Sequence, residues 1–219
     1  MHFLCTRLGV AIGVISLVAI LFPAYVAAVF PYALPNAVGT KTQSNTGASA
    51  VIETTDPTLS GGGWVYHRVI GRYPEANAYV EVGWLKDANQ GNVPRVYWTT
   101  RSTGGVVDQN FPGVPNPTMG VSYNYQVFNT ATDGTWAMFY NGSNVATRIV
   151  GYIAATEWAS GGEANNNDQG MGGTDHNNVA WRDSGGNWFC ACGYEVYNNN
   201  PMRWVVNVGP NNSSWTIIG

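Results

Sequence analysis

Charged residues are scarce in this chain, at 11% of 219 residues. There are 10 basic and 13 acidic residues, which give a formal net charge of −3, and no basic patch stands out. Because nucleic-acid-binding surfaces cluster Lys and Arg, we predict no nucleic-acid partner. The low charge does not indicate disorder, since aromatic residues make up 13% of the sequence.

Cysteine and histidine are also rare, with three of each. Cys190 and Cys192 lie two residues apart, so on a strand they would point to the same face, and either a disulfide or two buried thiols fits this spacing. Beyond the amino-terminal leader only His67 and His176 remain, and no zinc site is expected. We interpret His67 as a hydrogen-bonded structural histidine of a sheet.

Familiar catalytic motifs are missing as well. The sequence contains no Gly-x-Ser-x-Gly elbow, no His-Glu-x-x-His pair, no phosphate-binding loop and no dinucleotide fingerprint. The remaining polar residues favour acid–base chemistry by carboxylates, calcium binding or sugar binding. Asp168 and Asp175 are candidate calcium ligands, although their spacing is not that of an EF-hand.

Residues 1–28 are typical of a signal peptide. Arg7 precedes an uncharged apolar run that ends in the small residues Ala27 and Ala28. We therefore predict cleavage after residue 28, secretion, and no stable membrane association afterwards. An uncleaved anchor is the alternative, because the apolar run continues to Phe30.

No segment has the pattern of an amphipathic helix. About ten short segments rich in β-branched and aromatic residues, with turn residues between them, indicate an all-β protein. Asn141-Gly142 fits the type I′ turn of a hairpin. We predict an antiparallel two-sheet β-sandwich of jelly-roll or concanavalin-like form over residues 63–219. Residues 29–62 have many Pro, Ser, Thr and Gly and little periodicity, and we predict a linker or short pro-segment there.

The strand predicted at residues 79–84, Tyr-Val-Glu-Val-Gly-Trp, carries the first candidate catalytic residue. One face holds the two valines and the tryptophan, and the other holds Glu81 beside Tyr79. A carboxylate on a strand face with apolar neighbours is costly unless it is solvated, paired or used. We predict that Glu81 is half of an acidic site whose other half is Glu163, which follows two glycines.

These segments resemble the neprosin family of secreted glutamic peptidases. The resemblance lies in residues 79–84, in residues 94–99 (Pro-Arg-Val-Tyr-Trp-Thr) and in residues 158–163 (Trp-Ala-Ser-Gly-Gly-Glu). It covers roughly residues 64–204, and it implies a two-sheet sandwich with a concave face.

The resemblance further implies that Glu81 and Glu163 are the catalytic pair of an endopeptidase active at acidic pH. The expected partner is a peptide or protein substrate, with no cofactor and no metal. We also predict the aromatic residues of these motifs, Tyr79, Tyr97 and Trp98, to be substrate-binding residues. The sequence leaves open which glutamate is the base and which the acid.

Three other functions are compatible with an exported β-sandwich. A non-catalytic, lectin-like module would use the tryptophan-rich strands to stack on sugars. A glycoside hydrolase would use the same two carboxylates on a glycosidic bond. The last alternative is a structural or surface protein without catalysis.

Overall fold

The structure is a computed structural model, and it describes residues 36–166, 168–192, 195–198, 205–209 and 213–219. The predicted signal peptide, residues 1–28, lies outside the described residues, so its cleavage stays a prediction. Within the described ranges there is no helix long and apolar enough to cross a membrane.

The described residues form fifteen strands and two single-turn 3₁₀ helices. The strands are β1 (Asn36–Asn45), β2 (Gly47–Glu53), β3 (Trp64–Tyr73), β4 (Ala78–Asp87), β5 (Arg95–Arg101), β6 (Val107–Asn110), β7 (Ser122–Asn129), β8 (Thr135–Tyr140), β9 (Ser143–Ile149), β10 (Ala155–Ala164), β11 (Thr174–Arg182), β12 (Trp188–Cys190), β13 (Glu195–Asn198), β14 (Val205–Val208) and β15 (Trp215–Ile218). The 3₁₀ helices are η1 (Pro74–Ala76) and η2 (Ala88–Gln90).

These strands build two antiparallel sheets, which confirms the predicted all-β sandwich. The first sheet has the order β13-β1-β10-β3-β4-β5-β6. The second has the order β14-β15-β11-β2-β7-β8-β9, with β12 paired to β11. The predicted hairpin is also confirmed, because β8 and β9 are joined by Asn141 and Gly142, both at positive φ.

The predicted linker over residues 29–62 is wrong for residues 36–53, which form β1 and β2. β1 pairs with β10 and β13, and β2 pairs with β7 and β11, so both strands lie inside the sheets. The sandwich therefore begins well before residue 63. β1 is built from small and polar residues with little apolar periodicity, and Gly39 is needed because a Cβ there would lie 2.6 Å from the ring of Trp215.

Tryptophan side chains fill much of the space between the sheets. In β4 the even-numbered residues Val80, Val82 and Trp84 all face this core. Five tryptophans of the described chain are buried there, namely Trp84, Trp98, Trp136, Trp158 and Trp215. Each large ring removes much apolar surface from water, so these side chains contribute strongly to the packing of one sheet on the other.

Cys190 and Cys192 form a disulfide, which settles the alternative that the sequence left open. Their Cα atoms are 5.4 Å apart, within the usual range for a bridge. Both residues are exposed, so they are not the buried thiols of the other interpretation.

A buried polar network interrupts the apolar core directly behind the first sheet. His67 Nδ1 lies 3.0 Å from His176 Nε2, and His67 Nε2 lies 3.2 Å from the Met171 carbonyl oxygen. His176 Nδ1 lies 2.7 Å from Ser160 Oγ, which is 3.2 Å from the Arg68 carbonyl oxygen. The interpretation of His67 as a hydrogen-bonded sheet histidine is therefore confirmed.

The protons in this network can be counted. Two neutral imidazoles and one hydroxyl supply three hydrogens. The series of contacts from the Met171 carbonyl to the Arg68 carbonyl has four donor–acceptor pairs, one more than the hydrogens available. A fourth hydrogen would make the network cationic in the core. Burial lowers the pKa of His67 to about 3 and also lowers that of His176, so both rings are neutral near pH 7.

This network predicts a loss of stability in acid. Unfolded His67 takes up a proton near its ordinary pKa, whereas folded His67 does so only near pH 3. Its contribution is therefore fully present above the ordinary pKa and decreases as pH falls, by about 2 kcal/mol between pH 7 and pH 5. We expect the advantage of the parent over His67→Gln, measured by urea unfolding, to shrink by that amount. A difference independent of pH would contradict this.

Candidate active site

β10, β3 and β4 lie side by side and bring the two predicted glutamates to one face. Glu163 on β10 is the cross-strand partner of Tyr66 on β3. Glu81 on β4 is the partner of Ile70, on the other side of the same strand. Both carboxylates point away from the core, since their strand neighbours Val82 and Ala164 belong to it.

Glu163 lies within β10, which continues to Ala164. The two glycines before it do not end the strand. Gly162 packs against the polar network, because a Cβ there would lie 2.7 Å from His67 Cε1 and 2.9 Å from Met171 Sδ. Gly162 is therefore a position of close packing in a strand.

Arg68, which the sequence interpretation did not select, lies between the two glutamates. Its Nε is 2.9 Å from Glu81 Oε2, and its Nη2 is 2.8 Å from Glu163 Oε2. Arg68, Glu81 and Glu163 are only 1%, 4% and 0% exposed. The three charges form one buried cluster in which a single guanidinium serves both carboxylates.

Burial dominates the proton affinity of both acids. Loss of solvation raises the pKa of the Glu81 carboxyl to about 7, although Arg68 acts in the opposite direction. The pKa of Glu163 is raised for the same reason, and Arg68 again opposes the shift. The hydroxyl of Tyr97 lies 3.5 Å from Glu81 Oε1 and favours the ionised form.

An open cleft of about 470 Å³ gives access to these carboxylates. Glu81 and Glu163 both line it, and so do five aromatic side chains, those of Trp64, Tyr66, Tyr79, Tyr97 and Phe111. Trp64 stacks on Tyr66 with ring centroids 5.1 Å apart, and Tyr66 contacts Tyr97 at 5.4 Å. The cleft therefore combines an acidic pair with an aromatic wall.

Two of the three predicted substrate-binding residues lie at the cleft, and one does not. Tyr79 and Tyr97 line it, and their role in substrate binding stays a prediction. Trp98 is buried in the core, where the guanidinium of Arg148 lies 4.4 Å from its ring centroid. The prediction for Trp98 is wrong because it pairs with core-facing Val82, so strand alternation directs its side chain to the opposite face.

The sequence held a signal for the missed residues. Strand alternation puts Val65, His67 and Val69 on one face of β3 and Trp64, Tyr66 and Arg68 on the other. What was missing was the pairing of β3 between β4 and β10. Phe111 follows the short strand β6 in a proline-containing loop and had no periodic signal.

No group of three or more His, Cys, Asp and Glu side chains in the described parts of the chain is arranged to hold a metal ion. That the protein needs no cofactor stays a prediction. The chemistry that the cleft offers is that of two carboxyl groups with a shared cation.

No family model matches this chain, and no curated protein matches it in sequence. In three dimensions it is similar to scytalido-glutamic peptidase bound to a peptide-based transition-state analogue, with a TM-score of 0.60 and 11% identity over 85% of this chain and 98% of that one. It is also similar to SCP-B, an eqolisin-family peptidase in complex with the tripeptide Ala-Ile-His, with a TM-score of 0.59 and 12% identity over the same shares. The chain therefore has the fold of glutamic peptidases.

The raised pKa of Glu81 predicts that its contribution to stability decreases as pH rises, whereas the contribution of His67 decreases as pH falls. Folded Glu81 holds its proton from its ordinary pKa up to about pH 7, so its contribution to stability is lost as pH rises through this window. Glu81→Gln imitates the protonated form. We expect its unfolding free energy to gain about 3 kcal/mol on the parent between pH 4 and pH 8. A constant difference in urea unfolding over this range would contradict the buried, protonated state.

Proposed function

We propose that this protein is a secreted glutamic-type endopeptidase that hydrolyses peptide bonds in mildly acidic solution, with Glu81 and Glu163 as the catalytic pair. The observation that carries the proposal is the meeting of both carboxylates at one open cleft. They come from separate strands, far apart in sequence, on a fold shared with glutamic peptidases. The aromatic wall offers extended surface for a polypeptide.

The environments of the two acids support different roles. Glu81, whose pKa is raised to about 7, keeps its proton in mildly acidic solution and serves as the general acid. Glu163 accepts a hydrogen bond of 2.8 Å from Arg68 Nη2, a contact that favours its ionised form, and it serves as the general base. The pair thus fits the general rule that acid and base roles are set by environment.

The proposed reaction conserves protons. Glu163 takes a proton from water as the water oxygen bonds to the carbonyl carbon, and Glu81 gives its proton to the carbonyl oxygen. In the second step the C–N bond breaks as the nitrogen takes the proton from Glu163. One hydroxyl of the intermediate returns a proton to Glu81, so both carboxyl groups regain their starting states.

Within this proposal the chain is a neprosin-type enzyme. The support is the pair of sequence motifs, one around Glu81 and one ending in Glu163. Secretion rests on the leader at residues 1–28. The expected partner is a peptide or protein in the extracellular space.

The proposal predicts that Glu81→Gln and Glu163→Gln each lower kcat/KM for peptide cleavage by at least about 100-fold, because each removes one proton-transfer group. Glu157→Gln is the matched control. Glu157 lies on β10, is also buried, and pairs with Arg72 at 2.8 Å, but it does not line the cleft. Cleavage should be followed by mass spectrometry on an unfolded protein substrate.

The pH dependence gives a second prediction. We expect kcat/KM to fall as pH rises through about 7, because Glu81 then loses the proton that the reaction needs. Activity that is constant to about pH 9 would contradict the role of Glu81. If the parent cleaves no peptide but binds or hydrolyses a polysaccharide, the proposal fails and a lectin-like module or a glycoside hydrolase takes its place.

A further inference from the structure

We propose that Arg68 is the positioning residue of this acid pair. It holds the two carboxylates along one edge of its guanidinium, and it makes the singly protonated pair the electrically neutral state of the site. The proposal rests on the proposed function for its catalytic meaning. The geometry that carries it, a buried cation shared by two carboxylates, is independent of any substrate.

The first step concerns space around Arg68. Its cross-strand partners are glycines on both sides, Gly161 on β10 and Gly83 on β4. At Gly83 an added Cβ would overlap the His67 carbonyl oxygen and lie 2.8 Å from Arg68 Cα, so a larger residue would force the strands apart. Neither cross-strand partner therefore places a side chain beside Arg68, and the guanidinium carbon lies 4.6 Å from the ring centroid of Tyr66.

The second step concerns direction. Glu163 comes two residues after Gly161, and Glu81 comes two residues before Gly83. Since β10 and β4 both run antiparallel to β3, the two acids lie on opposite sides of Arg68 along the strand. They approach the adjacent Nε and Nη2 groups, at 2.9 and 2.8 Å. One edge of a guanidinium usually binds both oxygens of one carboxylate, whereas here Nη2 donates a hydrogen bond to Glu163 and Nε forms an ion pair with Glu81.

The third step concerns charge. A buried site of low dielectric favours the protonation state with the least net charge. Without a cation, two carboxylates are neutral only when both are protonated, and neither can then act as a base. With Arg68 the neutral state has one carboxylate and one carboxylic acid. That state is the one the proposed reaction starts from.

The other ionisable groups around the pair do not replace this role. Burial raises the pKa of Tyr66, so its hydroxyl carries no charge in this pH range, and Tyr97 contributes a hydroxyl 3.5 Å from Glu81 Oε1. Arg72, two residues along β3, is paired with Glu157. Among the described residues, Arg68 is thus the cation in direct contact with both acids.

A lysine in place of Arg68 would supply the positive charge but not the geometry of the guanidinium. The ammonium group carries the same charge, but it is a compact point charge without two adjacent, coplanar N–H groups. Arg68→Lys should therefore preserve the charge balance and disturb the positions of the carboxylates. Arg68→Met should disturb both the charge balance and the positions of the carboxylates.

The decisive experiment compares the pH profiles of kcat/KM for the parent, Arg68→Met, Arg68→Lys and the control Arg72→Met. For Arg68→Met we expect the acidic limb to move up by at least one pH unit and kcat at about pH 5 to fall at least 10-fold, since Glu163 is then protonated more easily. Arg68→Lys should keep the limb within about half a unit while lowering kcat. Arg72→Met should move both limbs by less than Arg68→Met does, because Arg72 also lowers the pKa of both acids but forms its ion pair with Glu157. Unmoved limbs in Arg68→Met would overturn the proposal.

A titration that needs no substrate separates this proposal from the proposed function. With ¹³C-labelled glutamate, the parent should show one of the two site carboxyls ionised and the other protonated between about pH 5 and 6. Glu81→Gln and Glu163→Gln assign the two signals. In Arg68→Met both should be protonated in that range.

The outcomes of this titration are distinct. If the parent shows the divided pair but cleaves no peptide, the proposed function fails and the role of Arg68 stands. If the pair titrates identically in Arg68→Met, the role of Arg68 fails whatever the activity. Should Arg68→Met not fold, the parent alone decides, because two ionised or two protonated carboxyls between about pH 5 and 6 would overturn the proposal.

Discussion

The burial of one cation and two carboxylates on a single sheet face is the constraint on which the candidate site depends. Removing charges from water is expensive, and a pair of like charges in such a place is more expensive still. Here the cost is met by direct contacts of 2.8 and 2.9 Å and by retention of a proton. A site of this kind has little tolerance for altered strand positions, because each carboxylate reaches the guanidinium from a different strand.

The rest of the sandwich keeps those strands in place. β10, β3 and β4 are central strands of the first sheet, with β1 on one side and β5 on the other. Their opposite face packs on the tryptophan-rich core and on the network of His67, His176 and Ser160. The network contacts the same residues that carry the site, since Ser160 donates to the Arg68 carbonyl oxygen and His67 precedes Arg68 in the chain. Packing behind the sheet and chemistry in front of it therefore share one set of strands.

Strand alternation alone predicted a good part of this. It placed Glu81 on the face opposite Val80, Val82 and Trp84, and the structure has it there. Strand alternation failed where the apolar pattern is weak, and where pairing with distant strands determines the structure. β1 carries few apolar residues and is defined by its backbone pairing, so it was taken for a linker.

Pairing between distant strands was beyond the reach of a single sequence. Gly162 lies within a strand, where its lack of a side chain allows close packing against His67 and Met171, and this contact between distant segments has no signal in the local sequence. The aromatic motif predicts Trp98 as a substrate-binding residue, although the alternation of its own strand points it to the core. Arg68 became visible only when β3 was found between the strands of the two glutamates.

The order of residues in the two acidic motifs explains why the site is possible. On β4 the glutamate comes first and the glycine second, whereas on β10 the glycine comes first and the glutamate second. β4 and β10 run parallel to each other because each is antiparallel to β3. If both motifs had the same order, the two glutamates would lie on the same side of Arg68 along β3. The reversed order places their backbone positions on opposite sides of Arg68 along the strand, and their side chains converge on one edge of its guanidinium, so that one shared cation joins them into a pair.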